Sequence, residues 1–89
     1  MAAGRLNVQV LFFATLRESI GRDSLSLEPQ RPLALDELFA VLCQHLGEER
    51  VALLKAENVR IAVNQSLIEG PVMIGPGDEV AFLPPVTGG

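Results

Sequence analysis

Gly77-Asp78-Glu79-Val80-Ala81-Phe82-Leu83-Pro84-Pro85-Val86-Thr87-Gly88-Gly89 are the last residues of this 89-residue chain. Gly77-Asp78, with Gly75-Pro76 before it, is turn chemistry and predicts a tight reversal. Glu79 to Leu83 then predicts a final strand rich in apolar residues. Pro84 and Pro85 fix φ and favour extended backbone, so the six residues from Pro84 reach roughly 15–20 Å. A cloning scar usually follows a polar linker, whereas here an apolar strand leads straight into Pro84. The ending is therefore expected to be a functional terminus.

Glycine lacks Cβ and lets a peptide pass through a narrow channel. The carboxylate at Gly89 is ionised at neutral pH and is a poor electrophile. Activation by a nucleotide would supply a leaving group, and attack by sulfur would leave a thiocarboxylate. The expected chemistry sits on that carboxyl group.

Working back from the tail, Val59 to Val63 predicts a strand, Asn64-Gln65 a turn and Ser66 to Ile68 a short extended piece. Leu6 to Ala14 predicts another strand. Alternation places Leu6, Val8, Val10 and Phe12 on one face and Asn7, Gln9, Leu11 and Phe13 on the other. That second face begins polar and ends apolar. Thr15-Leu16-Arg17-Glu18 has capping-box spacing, with Gly21 placed to end a short helical turn. Ser24 to Glu28 alternates strictly, as a half-exposed strand does. Leu35, Leu38, Phe39, Leu42 and Leu46 follow helical spacing, with Asp36 and Glu37 in the first turn and Gly47 after the last. Ala34 is a poor N-cap, which leaves the start open by a residue or two. Glu48 to Lys55 adds a further helical turn. The expectation is an α+β domain: a mixed sheet of four to five strands with one main helix packed on one face.

Eighty-nine residues make one small domain. A 48% hydrophobic content with 20% charged residues predicts a soluble globular chain. The net charge of −4 and a single lysine, Lys55, argue against nucleic-acid binding. One cysteine, Cys43, argues against a disulfide framework and a cysteine-rich metal site. Met1–Arg5 shows no secretory pattern and no apolar run approaches a membrane span, so the cytoplasm is the expected location. One His, one Cys and scattered carboxylates give no nucleophile–base pair at a familiar spacing, so no independent active site is expected.

The chain resembles the ubiquitin-like β-grasp family, specifically its sulfur-carrier branch and, within it, molybdopterin synthase small subunits. The resemblance rests on Val10-Leu11-Phe12-Phe13-Ala14 with Leu16-Arg17-Glu18, on Ala62-Val63-Asn64-Gln65, and most specifically on Gly77 to Gly89. It implies a β-grasp body over residues 1–83 and an extended tail over residues 84–89. It also implies that a ubiquitin-activating-like adenylyltransferase uses ATP to adenylate Gly89, and that a sulfur donor protein converts it to a thiocarboxylate. Gly88 becomes the neighbour that threads through. No cofactor and no metal are implied for the chain itself. The partner is a molybdopterin synthase large subunit, in a heterotetramer of two small and two large subunits. Sulfur passes to cyclic pyranopterin monophosphate to build the molybdopterin dithiolene.

Carriers for thiamine synthesis or tRNA thiolation, ubiquitin-like modifiers and non-catalytic β-grasp modules share the fold. In the family the first and last strands are neighbours, so Phe13 and Leu83 are expected to share the face opposite the helix, near Leu67. Leu11 precedes them on the same face. Phe13, Leu67, Leu83, Pro84, Pro85, Val86 and Thr87 form the expected partner-binding set. Cys43 is expected to be a buried inert thiol and His45 a solvated group suited to the helix dipole. Arg17 is open between a pair with Glu18 and a partner's acid. Asp78 and Glu79 are read as turn chemistry and solvated charge, with a basic partner surface as the alternative.

Overall fold

Strict alternation at Val8, Val10 and Phe12 produces strand β1 (Val8–Phe12), whose three apolar side chains are all buried. The structure, a computed structural model, describes residues 7–85. Ala14 takes a left-handed φ of 52° and turns the chain out of the sheet into helix α1 (Ala14–Ile20). Gly21, at φ 89°, closes that helix by donating its N–H to the Arg17 carbonyl. Thr15 lies inside α1 and caps nothing: Phe13 occupies the N-cap without a side-chain bond, so the expected capping box does not form. Strand β2 (Ser24–Leu27) buries Leu25 and Leu27 and exposes Ser26, as its alternation requires.

Leu33–Ala34 forms strand β3, followed by helix α2 (Leu35–Leu46). Leu38, Leu42 and Leu46 are buried against the sheet. Ala34 is the N-cap and has no side-chain acceptor, so only half of a capping box exists. The Glu37 carboxylate accepts the Ala34 N–H at 2.9 Å and also pairs with Arg31 at 2.9 Å. That contact holds the Glu37 carboxyl below its usual range, first through the Arg31 hydrogen bond. Residues 48–54 form a complete helix, α3 (Glu48–Leu54), rather than one added turn, because Val51 and Leu54 anchor it in the core.

Strand β4 (Arg60–Val63) and β5 (Ser66–Leu67) form a hairpin through Asn64-Gln65, both at positive φ. Strand β6 (Met73–Ile74) pairs with β3 in a separate two-stranded ladder. Strand β7 (Glu79–Leu83) enters the middle of the main sheet, whose order is β2-β1-β7-β4-β5. It runs parallel to β1 and antiparallel to β4. This mixed sheet under α2 is the β-grasp arrangement. Phe82 is fully buried and stacks on Phe12 at 6.0 Å and against Phe39 of α2 at 5.8 Å, locking the last strand to the core.

Gln65 sits at φ 72° in the β4–β5 turn, a conformation that costs a residue with Cβ roughly 1–2 kcal/mol and glycine little. Gln65→Gly is therefore expected to raise stability by about 0.5–1 kcal/mol, read as an increased urea midpoint at unchanged slope.

Candidate partner-binding site

The sheet face turned away from α2 carries an apolar row that crosses four strands. Leu11 on β1 faces Ala81 on β7, Ala81 faces Ala62 on β4, and Ala62 faces Leu67 on β5. Strand spacing makes the row roughly 14 Å wide. The two alanines sit in the middle and the larger side chains stand on either side, which leaves a groove of about 550 Å³. Phe13 and Leu83 extend its apolar wall, and Gln65 and Glu79 line the other end.

Backbone geometry places each wall. The Phe13 N–H donates to the Phe82 carbonyl at 3.2 Å, one residue past the Phe12–Phe82 pair, so Phe13 stays alongside β7. Its ring points away from the core and is 43% exposed, and Leu67 is 53% exposed. Leu83 is half-buried, Pro84 half-buried and Pro85 exposed. Leu83 is also the register partner of Arg60, whose exposed side chain flanks the point where the chain leaves the sheet.

The polar end is a built network. Asn64 donates its side-chain amide to Asp78 Oδ1 at 3.0 Å, and Gly75 N–H donates to Asp78 Oδ2 at 2.8 Å. Asn64 Oδ1 in turn accepts the Glu79 N–H at 2.9 Å. These bonds, the Gly75 N–H first, hold the Asp78 carboxyl below its usual range. A depressed folded-state pKa contributes stability above the unfolded value, and that stability is lost as pH falls through the folded value. Asp78→Ala is expected to lower the urea midpoint at pH 6. The gap from the unsubstituted chain should close as pH drops below about 4.

Phe13, Leu67 and Leu83 thus come together as the sequence led us to expect, with Pro84 and Pro85 beside them. Val86, Thr87, Gly88 and Gly89 lie outside the described residues. Ala62 and Ala81 were missed: each is visible as a small residue inside an otherwise bulky strand, but only the register brings the two together. Cys43 is half-buried against the core rather than fully buried, and His45 is exposed. Arg17 is exposed and flanks a shallow depression beside Phe13, and the one ion pair among the described residues is Arg31–Glu37. Asp78 is turn chemistry, as expected. No helix of the described residues is long and apolar enough to cross a membrane.

The model of the ThiS family matches residues 10–89. A molybdopterin synthase sulfur carrier subunit from Escherichia coli K12 is 40% identical over 85 residues, covering 92% of this chain and 99% of that protein. A protein of the same name from Haemophilus influenzae is 38% identical over 82 residues, with the same coverage. Among solved structures, a chain from the complex of subunits 1 and 2 of molybdopterin-converting factor of Helicobacter pylori superposes with a TM-score of 0.65. It is 28% identical, and the match covers 94% of this chain and 100% of that one.

Proposed function

The chain belongs to the ThiS family, and we propose that within it this is the sulfur-carrier subunit of a molybdopterin synthase. The observation that carries the reading is identity of 38–40% to two sulfur carrier subunits over nearly the whole of both chains. The groove beside β7 supports it, because a carrier must be gripped next to the strand that delivers its end.

In this reading residues 1–83 are the body and residues 84–89 the tail. A carboxylate oxygen of Gly89 attacks the α-phosphorus of ATP in the activating enzyme, and pyrophosphate leaves. Sulfide-level sulfur released by a donor protein then attacks the acyl carbon, AMP leaves, and the thiocarboxylate remains. The large subunit takes the body by Phe13, Leu67 and Leu83 and encloses Pro84 to Gly89. The thiocarboxylate sulfur bonds to a carbon of cyclic pyranopterin monophosphate and displaces an oxygen substituent from it. Water then hydrolyses the resulting thioester, leaving sulfur on the pterin and a carboxylate on Gly89. Two such transfers complete the dithiolene, and two small and two large subunits make the assembly. The chain contributes its terminus and its surface, holds no metal or cofactor of its own, and works in the cytoplasm, where ATP is available.

The test is intact mass spectrometry after incubation with activating enzyme, ATP and a sulfur source. One oxygen replaced by sulfur at the terminus is expected, followed by dithiolene formation when large subunit and pterin precursor are added. Sulfur loading without dithiolene formation would instead favour a carrier for another pathway.

A further inference from the structure

Two features of the groove go beyond a general apolar contact. Its floor is Ala62 and Ala81, which are 7% and 8% exposed yet stand on the outer face, apart from the core cluster. They are shielded by the surrounding Leu11, Phe13, Leu67 and Leu83 rather than by the helices. A floor of two methyl groups between taller walls leaves a recess that apolar side chains of a partner can enter. Any larger residue at either position would fill it.

The second feature is the order of charge. Asp78 is consumed by the Gly75 and Asn64 bonds, so the acid left facing the groove is Glu79. At the other end Arg60 stands exposed beside Leu83 and forms no ion pair among the described residues. One end is negative and the other positive, with the apolar recess between. A partner with an apolar side chain flanked by a base and an acid fits in one orientation, because the reversed pose sets like charges together.

We propose that Ala62 and Ala81 keep this groove open as a socket for apolar side chains of the synthase large subunit, and that Arg60 and Glu79 fix the direction in which that subunit sits. The assignment of the occupant rests on the carrier reading above, and the unfilled recess is what selects a partner with protruding apolar side chains over a second copy of this chain. A second copy related by a two-fold axis would have to match the groove to itself, burying the unfilled floor against another floor.

Equilibrium titration of the large subunit with the unsubstituted chain and its variants, at low and high salt, tests this. Ala81→Leu is expected to weaken binding by about a hundredfold at both salt concentrations, because a filled socket excludes the knob. Arg60→Glu is expected to weaken it by about tenfold at low salt, with the loss shrinking at high salt. Ala81→Leu that stays folded and binds within about threefold of the unsubstituted chain overturns the socket. If it unfolds, Leu67→Ala decides: its side chain is already half in solvent, and binding unchanged by its truncation overturns the socket equally. Arg60→Glu without effect at low salt overturns the orienting role. An unsubstituted chain that loads sulfur but never binds the large subunit overturns the molybdopterin synthase assignment, and this proposal falls with it.

Discussion

Deleting Gly89 is expected to abolish sulfur delivery while leaving the fold and its urea midpoint unchanged. The deletion leaves a glycine carboxylate at Gly88, so terminal chemistry alone is preserved. What changes is reach: the reacting carbon retreats by roughly 3.3–3.6 Å, one residue of extended chain. Displacement of about 1 Å from productive geometry already costs on the order of a hundredfold. Dithiolene formation should therefore fall below detection. The buried core ends at Phe82, where the last strand pairs with β1 and β4, so the fold is expected to stand without Gly89. Circular dichroism and dithiolene yield, measured on one preparation, give the comparison. A deleted chain that still delivers sulfur at a normal rate shows that the carrier carbon is not on Gly89. Inserting two glycines between Val86 and Thr87 tests the same reach in the other direction, and should spare thiocarboxylate formation more than transfer to the pterin.

Strands with strict alternation were legible residue by residue. Val8, Val10 and Phe12 turn inward and Gln9, Leu11 and Phe13 outward, as the period of two requires. Strand β7 matches its predicted span because a turn signal and a proline pair bracket it. Phe13 beside Leu83 follows from the pairing of first and last strands that the family resemblance implies. Other features needed three-dimensional information. The β3–β6 ladder joins Leu33-Ala34 to Met73-Ile74 across some forty residues, and two-residue strands have no periodicity to read. Helix α3 is short, and tertiary burial of Val51 and Leu54 decides it rather than intrinsic propensity. Thr15 looked like a cap because spacing alone cannot show that the chain turns at Ala14, one residue earlier, through a left-handed φ. The alanine floor depends on register: only the pairing of Ala62 with both Ala81 and Leu67 reveals that two small residues coincide.

Adjacent residues on β7 should show opposite phenotypes, and this is the sharpest check on which face meets the partner. Phe82 is fully buried between Phe12 and Phe39, whereas Leu83 points into the outer groove. Phe82→Ala removes a large ring from the core and is expected to cost about 3–5 kcal/mol of stability, a large share of what a domain this size possesses. Leu83→Glu instead places a carboxylate that solvent can reach in the free chain but that docking must bury. Burying an unpaired charge is unfavourable, so binding to the large subunit should weaken by about 3 kcal/mol or more, a hundredfold in Kd. Phe13→Glu should behave the same way from the neighbouring strand, with a near-native circular dichroism spectrum because its ring is already 43% exposed. The two docking variants share one contact, so their double variant should lose less than the sum of the single losses. Thermal unfolding and large-subunit titration on the same variants separate the effects. If Leu83→Glu unfolds the domain as Phe82→Ala does, residue 83 belongs to the core and the partner must bind a different face of the sheet.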